Sequence, residues 1–182
     1  MNNSELETLI RNILREQLVP ATPRTLRNAI FQTVDEAVCA AHQAFLRFQQ
    51  CPLKTRSAII SAIREELMPR LTKLAEESAK ETGMGNKEDK YLKNKAALDN
   101  TPGVEDLTTT ALTGDGGMVL FEYSPFGVIG SVTPSTNPTE TIINNSISML
   151  AAGNSVYFSP HPGAKYVSLK LITTIEDIAF RC

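Results

Sequence analysis

Three observations predict an α/β fold in which a helical block is followed by the opening of a parallel sheet. Apolar residues recur at helical spacing through residues 33–99, short β-branched runs follow at 127–133 and 155–158, and each run leads through a proline-marked turn into another helical stretch. The resulting βαβα order over residues 127–181 implies parallel strands joined by a crossover, which sets both polar turns on one carboxyl edge of the sheet. That edge is where such sheets bind ligands.

Taken in chain order, residues 1–18 read as a separate leader. Ser4 and Glu7 have capping-box spacing, and Leu6, Leu9, Ile10, Ile13, Leu14 and Leu18 share one helical face, with Glu5, Arg11, Arg15 and Glu16 on the other side or its flanks. A helix of about 15 residues is marginal alone in water, so this stripe needs a partner. Its own domain or another copy of itself is one solution. The mixed polar face argues against a membrane surface, which selects Lys and Arg. Residues 19–30, with Pro20 and Pro23, read as a flexible linker, and residues 31–182 as the folded part.

The helical block, residues 33–99, begins at a second capping box, Thr33 and Glu36, with Val34, Val38, Ala41, Phe45 and Phe48 along one face up to Cys51-Pro52. Residues 53–67 repeat the pattern with Ile59, Ile60 and Ile63. Pro69 fits the first turn of a third helix that runs to Thr82, where Gly83 is the cap. Residues 87–99 form a fourth, with Tyr91, Leu92 and Leu98 as its apolar contacts. Such spacing builds a core before it builds a ligand box.

The strand region, residues 118–133, reads as two strands, 118–123 and 126–133, meeting at a bend at Ser124-Pro125, after a turn at 114–117. That glycine-rich turn precedes a strand where a phosphate loop precedes a helix, so it is no phosphate cradle. Helix 139–152 ends at Gly153, placed as a C-cap glycine. Strand 155–158 follows, then a turn at Pro160, Pro162 and Gly163, then a helix from Ala164.

Composition excludes several classes. A net charge of -2 without a dense Lys/Arg block gives no electrostatic case for nucleic acid. No apolar run approaches the roughly 18 residues of a membrane span, and the start lacks a secretory layout. Cys39, Cys51 and Cys182 are odd in number and irregularly spaced, which favours neither disulfides nor zinc and fits a reducing cytoplasm. Cys39 and Cys51 lie in or beside helices, where packing cysteines seldom become reactive thiolates. His42 reads as helix surface.

The order of pieces resembles the aldehyde dehydrogenase superfamily, in which a Pro-x-x-x-Pro turn precedes a helix ending in Ala-x-Gly-Asn and a strand that leads to the cofactor turn. Pro134 to Pro138, Ala151 to Asn154 and Ser159-Pro160-His161-Pro162 carry the likeness. Residues 133–138 and 158–162 look like the coenzyme-A-acylating branch, and especially its propionaldehyde-oxidising members from propanediol-degrading bacterial microcompartments. Residues 81–90, 100–105 and 112–117 support the match. The ethanolamine-type acetaldehyde enzymes are close behind, and a non-acylating dehydrogenase is disfavoured by residues 159–162.

This resemblance implies an aldehyde-dehydrogenase-like α/β fold, a helical block plus the first part of a Rossmann-type parallel sheet, truncated before the catalytic domain that carries the nucleophilic cysteine. The helix at 165–181 looks like a crossover with nothing after it, so the chain is expected to be an inactive amino-terminal piece. The implied cofactors are NAD, with coenzyme A as co-substrate, in a homo-oligomer whose subunits the arm at 118–133 helps to link. The leader is implied to be an encapsulation peptide that docks into a groove of microcompartment shell proteins through Leu6, Ile10, Ile13 and Leu14. A rival reading is an assembly module that holds no ligand.

Residue by residue, Asn137 is implied to be the catalytic donor to the oxyanion that forms when a thiolate adds to an aldehyde. Many members have that asparagine one place earlier, where this chain has Thr136, and Asn137 also suits a helix cap. Thr133, Pro134, Ser135 and Thr136, with Pro160, His161, Pro162 and Lys165, are the implied cofactor contacts. Ser159 stands where many members have a ribose-binding lysine. His161 then compensates by stacking on adenine or donating to a hydroxyl, or is an ordinary turn residue. No metal ligands are expected, and no residue is placed as general base.

Overall fold

The computed structural model describes residues 30–182, so the leader with Leu6, Ile10, Ile13 and Leu14 and the linker up to residue 29 lie outside the described residues. From there the chain runs through four helices: α1 (Val34–Phe48), α2 (Leu53–Leu67), α3 (Leu71–Thr82) and α4 (Lys87–Asn100). A hairpin of β1 (Thr110–Gly114) and β2 (Gly117–Phe121) follows. Strand β3 (Val128–Thr133), helix α5 (Pro138–Ala151), strand β4 (Ser155–Pro160) and helix α6 (Lys165–Arg181) complete it.

Helix boundaries follow local chemistry. The Thr33 hydroxyl accepts from the Glu36 N–H, while the Glu36 carboxylate reaches back to the Gln32 N–H, one residue earlier than a strict capping box. Asn86 caps α4 by accepting from the Asp89 N–H. Gly83 closes α3 in the left-handed region, at φ 64°. Gly153 turns the chain from α5 into β4 at φ 83°, and a Cβ there would stand 2.7 Å from the Arg56 guanidinium.

Strands β3 and β4 pair in parallel, with Ser131 opposite Phe158 and Thr133 opposite Pro160. Alternation along them sends one set of side chains to each helix layer. The Ser155 hydroxyl donates to the Ala41 carbonyl of α1, whereas Ser131 accepts from the Asn145 amide of α5. Residues 155 and 131 therefore face opposite helices, as the doubly covered parallel sheet requires. Gly130 lies opposite Tyr157, and the absence of a Cβ makes room for that phenol, whose oxygen would otherwise be 2.7 Å away.

One core joins the helical block to the βαβα unit. Ile60, Ile63, Leu67 and Leu71 pack with Leu98, Ile142, Ile143, Ile147, Leu171 and Ile178, all nearly inaccessible. This contiguity is what fixes the helical block relative to the sheet.

The structure corrects several expectations. The turn at 114–117 is the tip of a hairpin, because residues 110–114 form a strand paired with residues 117–121. The strand expected at 126–133 begins at Val128, where Pro125 and the positive φ of Gly127, 115°, end the irregular approach. Leu92 points outward at 60% exposure, so the apolar contacts of α4 come from Tyr91 and Leu98. Val34 and Val38 are also exposed, since α1 buries only Ala41 fully. Cys39, expected to pack within its helix, is exposed.

Two glycines with similar φ separate conformation from space. Gly153→Ala is expected to cost at least about 1–2 kcal/mol from the left-handed backbone, with the Arg56 collision added. Gly83→Asn, with nothing within 4 Å of its Cβ, is expected to stay within about 0.5 kcal/mol of the parent. Urea unfolding of both variants checks this. Ile143→Ala in the fully buried core is expected to cost about 3 kcal/mol by the same measurement.

Candidate functional site

Parallel pairing delivers the β3–α5 turn and the β4–α6 turn to one edge. The last rung is the His161 N–H donating to the Thr133 carbonyl at 3.0 Å. The turns also touch side by side, because a Cβ built on Gly163 would lie 4.0 Å from Ser135 Cβ. Asn137 and His161, 24 positions apart in the chain, thus belong to one rim.

Within the first turn, Pro134 and Thr136 are exposed, and Ser135 and Asn137 are half-buried. Thr133 is 1% exposed, so it meets the rim through its carbonyl while its hydroxyl stays inside. Pro138 enters α5 as its first residue, which preserves the helix because that N–H has no helical acceptor anyway. Asn137 occupies the N-cap position yet makes no side-chain cap bond. Its Oδ1 accepts from Lys93 Nζ at 3.2 Å instead, and its backbone carbonyl accepts from the Thr141 N–H and hydroxyl. The two amide N–H donors are therefore not engaged by the helix they precede.

Lys90 and Lys93 of α4 were not singled out from the sequence as site residues. Lys90 is 3% exposed and donates through Nζ to the Thr136 carbonyl at 3.1 Å. Together the two ammonium groups lie against consecutive residues of the turn. Their spacing, three apart on a helix, was the available signal, but a helical lysine pair reads as solvated surface until its acceptors are known.

In the second turn, Pro162–Ala164 forms a 3₁₀ segment, and His161 Nδ1 accepts from the Gly163 N–H at 3.0 Å. With Nδ1 as acceptor, the neutral ring carries its proton on Nε2 and has a donor left for a ligand hydroxyl. His161, Pro162 and Lys165 are exposed and Pro160 is half-buried. The amides at the start of α6 have a partner already: Glu81 of α3 accepts from the Tyr166 N–H at 2.8 Å and the Val167 N–H at 2.7 Å. A phosphate at this helix terminus would have to displace an internal carboxylate.

Neither Cys51 nor Cys182 is free of its helix, since their thiols lie near the Arg47 and Ile178 carbonyls at 3.9 and 3.4 Å. None of the three cysteines belongs to either turn. Val132, by contrast, is 83% exposed next to the rim, on the face that α1 covers only farther back. Among the described residues there is no cluster of His, Cys, Asp and Glu suited to a metal ion, and no helix long and apolar enough to cross a membrane.

Comparisons with known proteins bear on this rim. The family model described as the Aldehyde dehydrogenase family matches residues 21–180. A propanal dehydrogenase (CoA-propanoylating) of Citrobacter freundii is 84% identical over 182 residues, covering 100% of this chain and 40% of that protein. The chain thus spans about 40% of the length of that relative. A crystal structure of Rhodopseudomonas palustris propionaldehyde dehydrogenase with bound CoA and an acylated cysteine matches with TM-score 0.81 and 50% identity, over 84% of this chain and 35% of the other. A propionaldehyde dehydrogenase from the fucose utilisation bacterial microcompartment of Clostridium phytofermentans matches with TM-score 0.81 and 44% identity, over 85% and 35%. With a family model spanning nearly all of its length and solved relatives sharing the layout of its strands and turns, this chain belongs to the aldehyde dehydrogenase family.

Proposed function

We propose that these 182 residues form the amino-terminal part of an enzyme that converts propionaldehyde, NAD and coenzyme A to propionyl-CoA and NADH inside a bacterial microcompartment of the cytoplasm. The observation that carries the reading is the joined rim: the His161 N–H donates to the Thr133 carbonyl, which ties the second turn to the first, where Asn137 keeps its amide donors unengaged. The 84% identity to a CoA-propanoylating relative supports the choice of substrate.

In this reading a cysteine thiolate from sequence outside these residues adds to the aldehyde carbon, and the carbonyl oxygen takes the negative charge. Asn137 Nδ2 donates to that oxygen where charge develops, a position at which one lost donor typically costs about 3 kcal/mol. NAD, held at the rim by His161, Ser135, Thr136 and Lys165, would supply the hydride acceptor that lets the thiohemiacetal become a thioester. Coenzyme A thiol then displaces the enzyme thiol from the acyl group.

The rim fits the adenosine end of a dinucleotide. His161 Nε2, Ser135, Thr136 and Lys165 offer donors for hydroxyls, with Pro134, Pro160 and Pro162 shaping the edge and Thr133 anchoring it. Coenzyme A carries adenosine as well, so the same edge can receive the two in turn. The pyrophosphate is held elsewhere, given the Glu81 carboxylate on α6. Without a thiol at the rim, the isolated chain binds without turnover.

The likeness to an enzyme from a microcompartment supports shell association, which we assign to residues 4–18 through Leu6, Ile10, Ile13 and Leu14. Shell proteins are expected to retain the full chain in a pull-down and to lose it when residues 1–18 are removed. Equal retention of both forms would reject the assignment.

Activity is testable in a chimera in which these 182 residues replace the matching segment of the Citrobacter freundii enzyme. Propanal- and CoA-dependent NADH formation is expected, with Asn137→Ala lowering kcat about a hundredfold. His161→Ala is expected to raise KM for NAD several-fold with kcat nearly unchanged. A chimera without turnover, or Asn137→Ala at parental rate, would sink the reading. If calorimetry finds no NAD binding to the isolated chain and the leader still binds shell proteins, the assembly-module reading gains.

A further inference from the structure

Asn137 has a neighbour whose contact decides what its side chain can do. An N-cap asparagine ordinarily turns its carbonyl oxygen onto the N–H groups of the first helical turn. In this protein Oδ1 accepts from Lys93 instead. An amide has one oxygen and one nitrogen on opposite branches, so a cation that claims the oxygen also selects which branch is presented elsewhere. Without that cation the amide is free to rotate into the cap, where the donors would be lost to an incoming oxyanion.

Lys90 acts on the residue before. Lys90 as a whole is 3% exposed, its stem passes within 3.9 Å of the Cβ position of Gly85, and no carboxylate lies at ion-pair distance among the described residues. Burying a cation with a carbonyl as its named partner is unfavourable for stability. The contact it gains is the Thr136 carbonyl at 3.1 Å. A feature that costs stability and touches the turn fits a role in holding that turn.

We propose that Lys93 and Lys90 are positioning residues for the reaction: Lys93 sets the amide orientation of Asn137, and Lys90 fixes the backbone that carries it. The inference rests on the oxyanion reading of Asn137. It also gives α4 a part in the chemistry, because the N-cap of Asn86 and the buried Leu98 hold both lysines in place.

The chimeric enzyme described above provides the test. Lys93→Met is expected to lower kcat about tenfold while KM for NAD changes less than twofold, and Lys93→Arg, which keeps a donor, is expected to recover most of the loss. In an Asn137→Ala background, Lys93→Met is expected to have no further effect, because the residue acts through that amide. Lys90→Met is expected to lower kcat while thermal unfolding stays at or above the parental midpoint. Parental kcat in Lys93→Met, or a full tenfold loss that persists in the Asn137→Ala background, would overturn the proposal. So would parental kcat in Lys90→Met. If Asn137→Ala proves neutral, the oxyanion reading fails and takes the inference with it, an outcome distinct from damage at Asn137 with silence at both lysines.

Discussion

Everything at the candidate site depends on the parallel register of β3 and β4. Pairing Thr133 with Pro160 closes the sheet with a hydrogen bond from the second turn to the first strand, so two loops separated by a whole helix share one edge. A one-residue slip of β4 would turn Ser155 away from α1 and part its hydroxyl from the Ala41 carbonyl, and the same slip of β3 would part Ser131 from Asn145. The register is thus held by polar contacts from both helix layers as well as by the ladder. Gly153 makes the connection short enough, turning the chain back into β4 with φ in the left-handed region.

Much of this architecture was legible in the residues. Ile59, Ile60 and Ile63 at helical spacing, Gly83 and Gly153 as caps, and the strands at 127–133 and 155–158 all reflect local rules with strong signals. The edge shared by the two turns followed from the βαβα order alone. What escaped depended on tertiary partners. Residues 110–114 carry threonine and glycine with few apolar residues, and nothing local marks them as a strand until the opposite arm of the hairpin supplies the ladder. Leu92 and Val34 look like core residues by type, yet the neighbours that would cover them are absent from the described fold.

The site was harder to read than the fold for the same reason. Asn137 was visible as a residue suited to capping, and only the location of Lys93 across 44 positions accounts for the missing cap bond. Lys90 is more extreme, since burial of a lysine is invisible in a helix so rich in charged residues. The hydroxyl of Thr133 shows the converse: a residue of the turn motif that the strand register rotates into the interior. Motif membership therefore identifies the loop, and register decides which of its atoms reach solvent.

Glu81 ties the start of α6 to α3, and the pairs of Lys170 with Glu77 and Arg181 with Glu66 continue the attachment along the helix. The first of these contacts is an anion held by two backbone donors, Tyr166 and Val167, shortly after His161 in the chain. As a mechanical matter, the loop bearing the imidazole cannot swing as a hinge without dragging the helical block behind it. Any ligand of this edge would meet a stiff socket, and selectivity there would come from a shape fixed before contact.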